Sequence, residues 1–122
     1  MTSETTMTLD PTVTNPDNYK VVFENDRVRV LEFTDQPGVR TTPHEHPDSV
    51  LVVLSTFQRR MYAMDGESHD VQLTAGKVGW LDAQQHAGHN IGDTDSHVIL
   101  VELKDAAHAP GDTLGRTGPA VG

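Results

Sequence analysis

A small all-β domain, closed as a barrel or stacked as a sandwich, is the fold class this sequence predicts. Three observations predict it. Nine short runs of β-type residues follow one another at close spacing. Turn dipeptides (Asn25-Asp26, Pro37-Gly38, Asp65-Gly66, Ala75-Gly76, Gly92-Asp93) separate several of them. No segment holds a helical period, whereas the runs VLVVL and VILV are apolar on both faces, as strands inside a sandwich are.

The elements follow in order. Lys20–Glu24 is the first strand and ends at Asn25-Asp26. Arg27–Thr34 is the second; its apolar Val28, Val30 and Leu31 only partly alternate with Arg29 and Glu32. Pro37-Gly38 leads to a strand over Val39–Thr42. Val50–Ser55 carries VLVVL. Gln58–Met64 and His69–Thr74 flank Asp65-Gly66, and Lys77–Leu81 follows Ala75-Gly76. Ala87–Ile91 and His97–Leu103 complete the set, the last carrying VILV. No internal repeat is visible.

Residues 1–18, with Thr, Asn, Asp and the prolines Pro11 and Pro16, read as an irregular N-terminal arm. Residues 105–122 are rich in Gly, Pro and Ala without an apolar period and read as a disordered tail. The folded domain is thus expected over residues 19–104, and the length of 122 residues suits a single domain.

Composition excludes several functions. With no cysteine, disulfides and thiolate metal sites are ruled out. A formal net charge of −9 repels a phosphate backbone, so no nucleic-acid partner is expected. No apolar run approaches membrane length, no basic amphipathic helix is present, and the N-terminus lacks the apolar core of a signal peptide. A cytoplasmic location is the default expectation. Exposed strand edges suggest a homodimer.

Seven histidines are many for this length. In the segment from Gly38 to Pro47, His44 and His46 are two apart, so a strand would aim both imidazoles at one point and turn Glu45 away. Pro43 and Pro47 bracket the pair and restrict the chain around it. About 40 residues later Gly76 leads a strand with Trp80, then His86, His89 and Asn90. Here the chain resembles the cupin superfamily. Gly38, His44 and His46 match its first motif, and Gly76, His86 and Asn90 its second. The likeness spans about residues 21–103.

That resemblance implies a cupin-type β-barrel or double-stranded β-sandwich (jelly roll), with His44, His46 and His86 as ligands of one divalent metal ion. The chain departs from the family at Val50, which stands where a carboxylate ligand is common, and at Asp82–Gln85, where Pro and Gly are common. The implied set is therefore three histidines without the glutamate. Cupin dioxygenases for thiols and diketones use such a set, and some cupin polyketide cyclases use four. His89 is the candidate fourth donor, against the strand parity that turns it away from His86 and Asn90.

Three neutral imidazoles leave the full charge on the ion, and the set suits Fe(II), Zn, Ni, Mn or Cu without choosing among them. If His44 and His46 face inward, continued parity puts Val50, Val52 and Leu54 inward as an apolar pocket wall. Arg59, Tyr62, Trp80 and Gln84 are candidate pocket contacts, and at most one of Arg59 and Arg60 can point inward. Asn90 and Glu102 are candidate supports behind the ligands. His69, His97 and His108 read as surface or hydrogen-bonded residues. The expected function is a metal-dependent enzyme on a small apolar or aromatic, enolisable substrate, by dioxygenation or by Lewis-acid isomerisation or cyclisation. The alternative is a non-catalytic small-molecule or metal-binding module. Specific catalytic residues are not identifiable from sequence.

Overall fold

The computed structural model describes residues 9–104. The described residues form one short helix, α1 (Pro11–Thr14), and nine strands: β1 (Tyr19–Glu24), β2 (Val28–Asp35), β3 (His44–His46), β4 (Ser49–Val53), β5 (Phe57–Ala63), β6 (Ser68–Leu73), β7 (Val78–Leu81), β8 (Gln84–Asn90) and β9 (Ser96–Leu103). A five-stranded sheet ordered β1-β2-β9-β4-β7 faces a four-stranded sheet ordered β3-β8-β5-β6. All pairs are antiparallel. The fold is a jelly-roll sandwich, and no closed barrel forms.

The turn residues act as their chemistry dictates. Asn25 Oδ1 accepts from the backbone N–H groups of Arg27 and Val28 at 2.8 and 2.9 Å, which closes the β1–β2 hairpin. Gly38 and Gly76 have φ of +88° and +92°, where a Cβ would be strained. Each stands third in a four-residue turn closed by a backbone bond of 3.1 Å, from Val39 to Gln36 and from Lys77 to Thr74.

The core lies between the sheets. Tyr19, Leu31, Phe33, Val53, Val98 and Leu100 of the larger sheet bury against Phe57 of the smaller one. The Tyr19 and Phe33 rings pack at a tilt of 38° with centroids 4.6 Å apart, a pairing worth about 0.5–1.5 kcal/mol beyond the area it buries. On β9 the residues Ser96, Val98, Leu100 and Glu102 are buried while their neighbours are half-buried, so VILV is two-faced as expected.

Three elements differ from the sequence expectation. Val39–Thr42 forms no strand. Arg40 makes a single bridge to His89, and the Thr42 N–H goes to the side chain of Asn15 at 2.9 Å. β8 begins at Gln84, because β3 pairs with it through Glu45↔Gln85 and His46↔Gln84. The N-terminal arm is not irregular throughout: Asp10 caps α1 by accepting from the Thr12 N–H, Pro11 opens the helix, and both Pro11 and Asn15 are buried. The expected tail over 105–122, and His108 in it, lie outside the described residues.

The pocket wall expected on β4 is also corrected. Ser49 and Val53 are the buried residues of the strand. Val50 and Val52 face outward, where Val50 lies in a row with Phe23, Val30, Val101 and Trp80. Parity does not carry through Pro47-Asp48, because the chain crosses there from the smaller sheet to the larger. No described helix is long and apolar enough to cross a membrane.

Candidate metal centre

His44 and His46 sit two apart on β3, and His86 lies opposite His44 across the β3–β8 pair. All three are buried and point between the sheets. Their ring nitrogens lie within 4.8 Å of one another. The rings meet edge to face, with centroids 4.9 Å apart for His44–His46 and His44–His86 and 5.1 Å for His46–His86.

Each imidazole is oriented through Nδ1. His44 Nδ1 is 2.7 Å from the Thr42 carbonyl, His46 Nδ1 is 3.1 Å from Glu102 Oε2, and His86 Nδ1 is 2.7 Å from Gln84 Oε1. All three partners are acceptors, so Nδ1 carries the proton in each ring and Nε2 keeps its lone pair. Ligating histidines are held in this way. His44 Nε2 takes the Tyr19 hydroxyl at 3.2 Å.

Burial keeps His44 and His86 neutral. Burial pushes His44 down to about 4, with the Thr42 carbonyl opposing and the neighbouring His46 and Arg59 adding to it. Burial pushes His86 down to about 3, reinforced by His46, His44 and Arg59. Burial also holds the Tyr19 phenol well above its ordinary range, so it remains a neutral donor. The donor set therefore fits a divalent ion. Among the described residues no other group of three such donors is present.

Behind the cluster run two supporting chains. Glu102, almost fully buried, is bonded to Arg29 Nε at 3.0 Å, and Arg29 in turn grips Asp10 at 2.9 and 3.1 Å. Asn15 accepts from Thr42 N and donates to Thr42 O at 3.2 Å, which fixes the carbonyl that orients His44. Tyr19, Thr42 and Asn15 were missed in the sequence. A polar residue next to a short proline-started helix carries no signal until the chain folds back on β3.

A cavity of about 570 Å³ opens between the sheets beside His46 and His86. Its wall is mainly apolar, with Leu51, Phe57, Met61, Val71, Leu73 and Leu81 among the lining. Arg59, Tyr62 and Gln84 also line it. Val50, Val52, Leu54 and Trp80 do not. Leu54 is exposed, and Trp80 points outward with its Nε1 bonded to Asp82 at 2.8 Å. Leu51 takes the place of the outward valines. His69 is exposed on β6, in keeping with its reading as a surface residue, and also borders the cavity.

The remaining candidates separate cleanly. His89 lies outside the histidine cluster, because its neighbours His86, Gly88 and Asn90 occupy the buried face of β8. Its Nδ1 is buried without a hydrogen-bond partner. Among the described residues Asn90 makes no hydrogen bond to the three clustered histidines. It donates to Asp35 Oδ1 at 3.0 Å, and Asp35 Oδ2 takes Arg59 Nη1 at 2.6 Å. Arg59 is thus the inward arginine of its pair, and Arg60 faces out to Asp70 at 2.7 Å. His97 bonds Glu32 at 2.7 Å, away from the centre.

Comparison with known proteins agrees with this architecture. No protein-family model and no curated protein matches the chain. Solved structures do. A cupin domain from Bordetella pertussis Tohama I is 31% identical, with 70% of this chain and 91% of that one aligned at a TM-score of 0.65. A conserved protein with a double-stranded β-helix domain from Klebsiella pneumoniae is 23% identical over 70% of each chain, at a TM-score of 0.56. The polyketide cyclase RemF from Streptomyces resistomycificus is 18% identical over 70% of this chain and 63% of its own, at 0.53, a likeness of fold alone.

Proposed function

This chain belongs to the cupin superfamily, and from that premise we propose that it is a metal-dependent enzyme acting on a small apolar organic molecule. His44, His46 and His86 would hold one divalent ion through Nε2. The ion would supply Lewis acidity, or with a redox-active metal the activation of dioxygen, leaving dioxygenation and isomerisation or cyclisation as the reaction classes.

The observation that carries the reading is the shared orientation of the three rings. Every Nδ1 proton has a protein acceptor, so three lone pairs remain aimed at one another beside an apolar cavity. The chain's own residues do the rest. Leu51, Phe57 and Leu73 exclude water from the bound substrate. The Thr42 carbonyl, Glu102 and Gln84 hold the three rings in one tautomer. The Glu102 carboxylate accepts from His46 Nδ1 and so leaves Nε2 free to face the ion.

A second reading, a non-catalytic binding module, is favoured by one observation: among the described residues the cavity lining holds no carboxylate to move a proton. Oxygen uptake and product formation separate the two. The protein loaded with each of Fe(II), Mn, Ni, Cu and Zn is assayed against diketones, phenols and thiols. Turnover with at least one metal supports the enzyme. Ligand-induced thermal shifts without turnover for any metal assign the binding module instead.

A further inference from the structure

Arg59 is 6% exposed, yet it is not fully used by the protein. Nη1 is spent on Asp35 at 2.6 Å. Nε and Nη2 find no acceptor among the described residues. Neither is sealed away, since His89 Nδ1 is the one described side-chain polar atom both buried and unpartnered. Arg59 lines the cavity, so that is the space those donors meet.

The guanidinium is also held in place. Its Cζ lies 4.7 Å from the centroid of the Phe33 ring. Against β8 it lies over Gly88, where a Cβ would come within 2.6 Å of Nε and 2.7 Å of Nη2. Only glycine leaves room there. Gly88 is two residues from His86 on the same strand face, about 6–7 Å along the strand. A planar fork with free donors, preorganised beside an apolar cavity, matches a carboxylate in two parallel hydrogen bonds.

We propose that Arg59, seated on Gly88 and backed by Asp35 and Phe33, is a carboxylate-binding subsite, so that the cavity takes small apolar acids. This rests on the metal-enzyme reading for its place beside the reaction centre, but not for its anion preference. The apolar body of the acid lies against Met61, Val71 and Leu73, and its carboxylate lies on the Arg59 fork within reach of the histidine cluster.

The test is calorimetric titration of the full chain with phenylacetate, phenylacetamide and 2-phenylethanol, both metal-loaded and after chelator treatment. The acid is expected to bind at least about tenfold more tightly than the amide in both forms. Arg59→Lys keeps a cation for Asp35 but loses the fork, and is expected to abolish most of that preference while weakening 2-phenylethanol binding much less than acid binding. Should that variant not fold, Gly88→Ala displaces the guanidinium and is expected to do the same. Equal affinity for acid and amide, absence of acid binding at millimolar concentration, or a preference surviving the variant overturns the proposal. So does a preference confined to the metal-loaded form, which would assign the carboxylate to the ion. Failure of the metal reading shows separately, as absence of stoichiometric metal, and leaves the acid preference of the metal-free form intact.

Discussion

Glu102 Oε2 accepts the Nδ1 proton of His46 at 3.1 Å, from the central region of the larger sheet to the edge strand of the smaller one. The bond ties the candidate ligand to the sandwich core and fixes its tautomer. Replacing Glu102 with Gln keeps an acceptor for His46 but removes the charge that also holds Arg29. Metal affinity is expected to fall about 10-fold, toward 100-fold for Glu102→Leu. Competition against a chromophoric chelator measures it; an unchanged affinity for Glu102→Leu would contradict the role.

Tyr19 occupies the lone pair that an ion would need, since its hydroxyl donates to His44 Nε2 at 3.2 Å. Tyr19→Phe removes that competitor and keeps the ring packed on Phe33. Metal affinity is expected to stay the same or rise, while the metal-free protein loses about 1 kcal/mol of stability. A large loss of metal affinity would make the hydroxyl part of the metal centre and contradict this account.

Metal-free protein is expected to lose stability in acid through His44 and His86, which burial depresses from 6.5 to about 4 and about 3. Their folded values lie below the unfolded value, so below pH 6.5 the unfolded chain takes up protons that the folded chain refuses. The contribution is fully present above the unfolded value and is lost as pH falls through that window. Thermal midpoints of chelator-treated protein should decline steadily from neutral pH toward pH 4. A flat profile there would contradict the burial of the two neutral rings.

Asn15 closes the N-terminal arm onto the centre through its bonds to Thr42 N and Thr42 O. Asn15→Ala removes both bonds to Thr42, each worth about 0.5–1.5 kcal/mol, and is expected to lower stability in denaturant unfolding by their sum. It also frees the carbonyl that orients His44, so metal affinity should weaken together with stability. Loss of stability with metal affinity untouched would separate the arm from the site.

How much of this was legible in the sequence depends on the range of each interaction. Strand alternation is local, so His44 and His46 could be placed on one face, and their spacing to His86 matched a known pattern. The alternation also turned His89 outward. It failed at Val50, Val52 and Leu54, because the chain changes sheets at Pro47-Asp48 and the parity restarts. Trp80 followed them outward, being paired with Val50. Asn90 was placed on the correct buried face, but its partner Asp35 lies 55 residues away and could not be read locally. The same holds for Tyr19 and Asn15, which reach the centre only through tertiary packing.

Metal content of the purified protein tests the central claim most directly. Elemental analysis is expected to find one divalent ion per chain in the wild type and in His89→Ala. It is expected to find loss of that ion in His44→Ala, His46→Ala and His86→Ala, each checked for folding by circular dichroism. Full metal content in any of those three variants, or no stoichiometric metal in the wild type after growth and loading with each candidate ion, would contradict the account.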